Sequence, residues 1–359
     1  LAPDKKDRPI VCFVADYSIL IGGKERQLLE IVRYMQENGL DYRVISLSSM
    51  GLLYSKLKES YADKLELIDR QKLGFCGTVS ALRSFMLNTG CKLYHSMDNL
   101  SILFILLASV FLKIKVINGS IRHAGVSKSL SYVFDYVMLR LSSQVIANSR
   151  EGLKFYKIRN GQVIYNAVDT ERFIATPGSR FAVIMTANFS DYKDHKTFFD
   201  VTIPLVKTGV LCRVGLLGDG TYLSKWQNLV RQEGLDGFFT FHGHSPDVEK
   251  VLQDYGTGIL CSTRKYREGI SNSILEYMGS GLIVIASDAG ATGEIVQDRV
   301  NGLMFKTEDC HDLKQKLLWA LSHPSECDKM RDKAYLTLKE RFSYEGNMQK
   351  LVSLYNTLG

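Results

Sequence analysis

Short β-branched or apolar runs alternate with helix-length amphipathic segments from one end of the chain to the other, and no other feature of the sequence constrains the fold as tightly. This is the pattern of parallel-sheet α/β architecture, in which each strand is followed by a crossover helix. Residues 9–15 read as a first strand, residues 24–38 as a helix that stops at Gly39, and residues 42–47 as the next strand. Strands at 92–95, 115–117, 144–147 and 162–165, with helical patterns between most of them, complete one Rossmann-like unit. After Thr176-Pro177-Gly178-Ser179 a strand at 181–186 restarts the alternation, which runs on through 212–217, 238–241, 258–261 and 283–286.

A chain of 359 residues exceeds the roughly 250 to 300 that one hydrophobic core supports, so the restart marks a domain boundary. The expected fold is α/β: two Rossmann-like, doubly wound domains at residues 1–175 and 176–343 facing across a cleft, followed by a helix at 344–359. That helix carries Met348, Leu351, Val352 and Tyr355 on one apolar stripe, which must pack on something. Open sheets of this kind bind ligands beyond the carboxyl ends of their strands, and the chemistry is to be sought in the loops there.

Bulk properties narrow the class. The composition, 45% hydrophobic and 23% charged with 6 prolines, leaves no disordered or low-complexity block. The 7 cysteines are scattered without a CxxC, which suits buried thiols in a reducing cytosol, and the opening Leu1-Ala2-Pro3-Asp4-Lys5-Lys6 lacks the apolar stretch of a secretory signal. A cytoplasmic location is expected. The longest apolar run, 100–112, is shorter than the roughly 18 residues that span a bilayer and ends at Lys113 and Lys115. It reads as a buried helix capped at Asp98 or Asn99, with partial rest on a membrane as the alternative. The net charge of +7 suits anionic lipid, phosphate-bearing substrates or nucleic acid, and by itself means only a solvated basic surface.

The sharpest constellation is Tyr266-Arg267-Glu268-Gly269-Ile270-Ser271-Asn272-Ser273-Ile274-Leu275-Glu276. It follows a strand, and Ser271 or Asn272 is a good N-cap for a helix beginning there. Glu268 then sits in the loop and Glu276 about one turn into the helix, while the free N–H groups of residues 269–273 form an anion site. Two acceptor-only carboxylates suit a polyol, and the helix terminus suits a phosphate. The plain alternative is that the two glutamates merely compensate the helix dipole and face solvent.

Other motifs are weak. His242 and His244 form an HxH with no third ligand nearby, so no metal site is expected. The turn Gly218-Asp219-Gly220 is not a GxGxxG opening a helix, and there is no GxxxxGK, GxSxG, zincin or zinc-deaminase pattern. A dinucleotide cofactor and an ATPase are disfavoured.

The stretch from Glu268 through Glu276, with Gly279-Ser280-Gly281, Ser287-Asp288, Gly290, Glu294-Ile295-Val296 and Asn301-Gly302-Leu303, resembles the C-terminal signature of glycosyltransferase family 4. The resemblance extends to Lys193-Asp194-His195, Gly218-Asp219-Gly220 and Phe241-His242-Gly243. More loosely, it takes in Gly22-Gly23 with Glu25 and Ile164-Tyr165-Asn166-Ala167-Val168-Asp169. It implies a retaining enzyme of the GT-B fold, with an acceptor-binding first domain, a nucleotide-sugar-binding second domain and a final helix crossing back to the first. Position by position, it implies that Glu276 holds the donor ribose, and that Glu268 with the backbone of Gly269, Ile270 and Ser271 holds the transferred sugar and distal phosphate. Lys193 would neutralise the diphosphate, a role suited to its point charge. Gly22 and Gly23 would let the backbone approach donor phosphate or acceptor.

One departure from the family stands out. The Arg usually found five residues before the phosphate-binding Lys is replaced by Asn188, so a compensating cation is sought among Arg267, Arg122 and Lys196. A histidine of the first domain often faces the transferred sugar in such enzymes, and His95 and His123 are the candidates. The resemblance implies transfer from a UDP- or GDP-sugar to a hydroxyl of a glycan or lipid-linked acceptor, as in bacterial polysaccharide or lipopolysaccharide synthesis, with Glu268 and Lys193 catalytic. No cofactor beyond the nucleotide sugar, no metal and no nucleic-acid partner is expected, and peripheral association with the cytoplasmic face of the inner membrane is left open. The alternatives are a nucleotide-sugar epimerase or phosphorylase of the same architecture, or a non-catalytic sugar- or nucleotide-binding protein.

Overall fold

The computed structural model describes residues 10–16, 23–125, 130–173, 175, 178–245 and 247–359. Gly22, Pro9 and the Thr176-Pro177 pair lie outside these residues. The described chain forms two compact units, one from residues up to 122, 130–164 and 348–359, the other from 123–125 and 165–347. The change of unit therefore falls at 164/165 and not at 175/176, because Tyr165, Val168 and Phe173 pack into the second core.

The first stretch of chain runs β1 (Val11–Ala15), α1 (Gly23–Glu37), β2 (Tyr42–Ser46), α2 (Leu52–Tyr61), β3 (Leu65–Leu67), α3 (Arg70–Thr89), β4 (Leu93–Ser96), α4 (Asn99–Ala108), β5 (Lys115–Ile121), β6 (His123–Gly125), α5 (Leu130–Leu141), β7 (Gln144–Ala147), α6 (Arg150–Phe155) and β8 (Gln162–Val163). All but β6 among these strands form one sheet in the order β3-β2-β1-β4-β5-β7-β8, parallel throughout. β1 is buried along its whole length, as a strand covered on both faces must be, and α1 buries Leu28, Ile31, Val32 and Met35 at helical spacing. The apolar run at 100–112 is divided between core and surface, with Leu107, Val110 and Phe111 exposed at 38%, 46% and 97%. Asp98 caps α4 by accepting from Ser101 N at 2.7 Å, and Ile102, Phe104, Ile105 and Ala108 are buried. The helix ends at Ala108, before the run does.

The second stretch runs β9 (Ser179–Thr186), α7 (His195–Lys207), β10 (Arg213–Leu217), α8 (Leu223–Gln232), β11 (Phe239–Gly243), α9 (Val248–Leu252), β12 (Tyr255–Leu260), β13 (Arg267–Glu268), α10 (Asn272–Gly279), β14 (Ile283–Ser287), β15 (Leu303–Phe305), α11 (Cys310–Ser322), α12 (Pro324–Arg341) and α13 (Tyr344–Leu358). Its main sheet has the order β11-β10-β9-β12-β14-β15, again all parallel. β12 begins at Tyr255, three residues earlier than its sequence suggests. Gly256, outside the expected strand, and Gly258, its expected first residue, are both strand residues pressed by neighbours. A Cβ on Gly258 would stand 2.3 Å from the Tyr277 ring, and one on Gly256 2.7 Å from the Ser179 carbonyl.

From Met348 onward α13 belongs to the first unit. Its Tyr355 hydroxyl lies 2.8 Å from His95 Nδ1 at the end of β4, and both side chains are buried. Burial pushes the His95 imidazole down to about 3, and in the second unit burial pushes His195, stacked on Phe189 at 4.4 Å, down to about 4. Both folded values lie below the unfolded value near 6.5, so the unfolded chain takes up these protons first. The stability they confer is complete above about pH 6.5 and is lost as pH falls, at about 1.4 kcal/mol per pH unit for each histidine. Urea unfolding is expected to give a constant midpoint from pH 7 to 8 and a steep decline from pH 6 to 4, with His95→Asn flattening the decline. An unchanged midpoint between pH 7 and pH 5 would refute this assignment.

Candidate functional site

In the second sheet the strand order reverses between β9 and β12, so the chain leaves these neighbours in opposite directions and opens a crevice at their carboxyl ends. The loop after β9 ends in Lys193, and the loop after β12 carries Glu268. The two loops are joined by backbone hydrogen bonds: Asp194 N to Cys261 O at 3.0 Å, Thr263 N to Tyr192 O at 3.3 Å, and an antiparallel bridge between Lys193 and Ser262. Lys193 Nζ thereby reaches Glu268 Oε2 in an ion pair, and Ser262 Oγ donates to the same oxygen at 3.1 Å. Both partners use Oε2. The two side chains are only 15% and 20% exposed, which strengthens the pairing relative to a surface ion pair.

Glu268 is held from its backbone as well. β13 pairs antiparallel with β6, setting Glu268 opposite His123 and Arg267 opposite Gly125. The Glu268 carbonyl accepts from Ala291 N at 2.8 Å, across a turn in which Gly290 has φ +60°. The His123 ring lies 5.5 Å from that of Tyr266, which in turn lies 4.1 Å from that of Tyr192, itself half-exposed. A charged pair and an aromatic cluster thus occupy adjoining positions.

α10 begins at the same end of the sheet. Ser271 occupies the N-cap position with extended backbone, yet its side chain makes no capping bond. The expected cap is therefore present in position but not in hydrogen bonding, and the first N–H groups of α10 have no side-chain oxygen from Ser271. Asn166 anchors the approach by donating to Ile270 O and Asn272 Oδ1, both at 2.9 Å, and Ser273 Oγ donates to Thr186 O at 2.8 Å. Gly269, Ile270 and Ser271 are buried, as is Glu276 on α10.

The remaining sequence candidates are distributed as follows. Gly23 opens α1, and Gly22 is not described. Asn188 is exposed in the loop after β9, on the path to Lys193. Arg267 is exposed on β13 beside Glu268, whereas Lys196 pairs with Asp200 at 2.5 Å and the Arg122 Nε–H donates to Gly119 O at 3.0 Å. Of the three candidate compensating cations, Arg267 therefore neighbours the Lys193–Glu268 pair. His95 is tied to Tyr355 in the first unit, and His123 sits opposite Glu268. His242 Nε2 lies 2.8 Å from the Tyr255 hydroxyl, and no cluster among the described residues could hold a metal ion.

Ser262 has no signal in the sequence, because its contact with Glu268 depends on the loop between them folding back. Gly290 belongs to the motif, but its role against Glu268 is visible only once β13 is formed.

Residues 169–337 match the family model described as Glycosyl transferases group 1. A chitobiosyldiphosphodolichol beta-mannosyltransferase of Eremothecium gossypii is 29% identical over 153 residues, 42% of this chain and 31% of that protein. An N,N'-diacetylbacillosaminyl-diphospho-undecaprenol alpha-1,3-N-acetylgalactosaminyltransferase of Campylobacter jejuni is 28% identical over 123 residues, 33% of this chain and 31% of that protein. The chain thus spans less than a third of the length of either. Among solved structures, HepE of Anabaena in complex with UDP superposes with a TM-score of 0.82 at 18% identity, covering 97% of this chain and 99% of that one. The fold is GT-B, two Rossmann-like α/β domains.

Proposed function

We propose that this chain, whose second unit carries a Glycosyl transferases group 1 domain, moves a sugar from a nucleotide diphosphate sugar to a hydroxyl of a glycan or lipid-linked acceptor, with retention at the anomeric carbon and without a metal. The observation that carries the reading is the Lys193–Glu268 pair at the switch point, with Ser262 on the same carboxylate oxygen and the start of α10 alongside. A diphosphate needs positive charge and N–H donors, a sugar needs hydroxyl acceptors, and this corner supplies both.

In this reading Lys193 turns from Glu268 to the donor phosphate, aided by the N–H groups of residues 269–271. The Glu268 carboxylate then accepts from sugar hydroxyls. Glu276 accepts from the ribose. The bond between the anomeric carbon and the phosphate oxygen breaks, the acceptor oxygen bonds to that carbon from the same face, and the acceptor proton passes to the departing phosphate. Lys193 and the helix N–H groups stabilise charge as it develops on the leaving group, an electrostatic contribution set up before the reaction begins. UDP as the base carrier is supported by the UDP-bound neighbour, and a lipid-linked diphosphate acceptor by the two relatives' names.

A thermal-shift panel of UDP, GDP and their sugars tests the donor, because a ligand that binds only the folded state raises the melting temperature. Incubation of the selected donor with and without acceptor then separates transfer from epimerisation, which changes the donor unaided. No shift with any nucleotide, or turnover abolished by a chelator and restored by magnesium, would count against the reading. Asn188→Arg supplies the missing second cation, and tenfold tighter donor binding by titration is expected, about 1.4 kcal/mol for one charge-assisted contact. Unchanged affinity would remove Asn188 from the phosphate site.

A further inference from the structure

Building on the donor reading, we propose that the Tyr192 ring is the platform on which the transferred sugar rests, so that it favours the nucleotide sugar over the free nucleotide. Tyr192 directly precedes Lys193, and its ring lies 4.1 Å from that of Tyr266, which stands just before Arg267 and Glu268. The Tyr266 ring in turn lies 5.5 Å from that of His123. The three rings form a run in which Tyr266 is half-buried and Tyr192, at its end, is 51% exposed. A single exposed aromatic is ordinary on a protein surface. Here a stacked pair is carried by the two loops that bring Lys193 and Glu268 together, and its outer ring is left open beside them.

The ring is set in place by its backbone. The Tyr192 carbonyl accepts from Thr263 N at 3.3 Å, the Asp191 carbonyl accepts from Thr263 Oγ1 at 3.5 Å, and the Lys193–Ser262 bridge continues the join. Arg264 ties the same loop on its other side, its Nη2 donating to Thr307 O and its backbone N–H to Glu308 Oε1, both at 3.0 Å. An aromatic face held in this way loses little freedom when a ligand arrives, and its contact shows in the affinity. Chemistry and position decide which part of the donor it meets. A pyranose has faces lined with C–H groups, which the negative face of an aromatic ring attracts, while its hydroxyls point outward to the neighbouring Glu268 carboxylate. The base is the other part of the donor that stacks on aromatic rings. The ribose, however, is assigned to Glu276, inside α10, and the base lies beyond the ribose, whereas Tyr192 and Tyr266 flank Lys193 and Glu268. The ring is therefore placed at the sugar end of the diphosphate.

Calorimetric titration of the parent and of Tyr192→Ala with UDP, UDP-glucose, GDP and GDP-mannose tests this. The parent is expected to bind one of the two sugars more tightly than its nucleotide. Tyr192→Ala should weaken that nucleotide sugar about fivefold and its nucleotide by less than about twofold, the scale of one aromatic contact. Nucleotide binding by the same preparation shows that the protein is folded, so a loss confined to the sugar is not a folding defect. Tyr192→Phe keeps the ring without the hydroxyl and should recover most of the loss. Should Tyr192→Ala fail to fold, Tyr192→Leu keeps apolar bulk without an aromatic face and is expected to show the same selective loss. Equal weakening of nucleotide and nucleotide sugar would put the base or the phosphates on the ring and overturn the proposal. No weakening of either, or a Tyr192→Phe no better than Tyr192→Ala, would overturn it too, in each case with the donor site intact. A parent that binds none of the four ligands would instead remove the donor reading itself, and the platform with it.

Discussion

Lys193→Ala is expected to lower kcat for the donor identified by the nucleotide panel by about 100- to 1,000-fold, the cost of removing one preorganised group that meets charge on a leaving group. Stability should change far less. The two side chains are only 15% and 20% exposed, but Ser262 still donates to Glu268 Oε2 after the change, so losing the pair costs about 1 to 2 kcal/mol. The contrast is diagnostic, since a merely structural ion pair would move the unfolding midpoint and leave kcat nearly alone. Glu268→Gln should also depress turnover, and combining the two changes should cost less than the sum of the singles because both act on one bound donor. Parallel steady-state kinetics and urea unfolding on the three variants settle the matter. A kcat within threefold of the parent for Lys193→Ala would remove Lys193 from the reaction.

The second large effect is expected at a residue that touches no substrate. Gly290→Ala places a Cβ 2.1 Å from the Glu268 carbonyl oxygen and 2.6 Å from the Glu268 nitrogen, at a backbone φ of +60°. An alanine in the left-handed region is strained, and the contact is with backbone that cannot swing aside. The Glu268 carbonyl is already bonded to Ala291 N, and β13 is registered on β6. The two penalties together are roughly 3 kcal/mol. Relief would move Glu268 away from Lys193 and Ser262, so turnover of the folded fraction should fall at least tenfold, by about 1.4 kcal/mol or more in barrier. Gly23→Ala provides the contrast, because a Cβ there meets nothing within 4 Å. It should leave stability unchanged, and any loss of turnover would report a ligand approaching Gly23. A Gly290→Ala protein with parent stability and parent kcat would refute this account of how Glu268 is held.

How much was legible in the sequence varied with the kind of interaction. The continuous apolar strands were, since burial on both faces leaves a run such as Val11–Ala15 with no polar interruption. β12 starts three residues before the expected strand at 258–261 because Gly256 carries no apolar side chain, and only its close approach to the Ser179 carbonyl explains it. The two-residue strand β13 has no periodicity to detect, and its partner β6 lies more than a hundred residues earlier. The apolar run at 100–112 showed that something would be buried, but hydropathy alone could not say whether core or membrane would bury it.

The sequence by itself determined the alternation that makes two parallel sheets, the side-chain types at positions 193, 268 and 276, and the placing of Glu276 inside a helix. These follow from side-chain type and local spacing, which act over a few residues. Only the tertiary structure decided that Lys193 and Ser262 meet on one oxygen of Glu268, that His123 leaves the first half of the chain to stand opposite that glutamate, and that Gly290 must be glycine. It also decided that the apolar run at 100–112 buries Ile102, Phe104, Ile105 and Ala108 and leaves Val110 and Phe111 exposed. The physical reason is that these contacts join positions far apart in the chain, and their geometry exists only after the sheets have set the register of the loops between them.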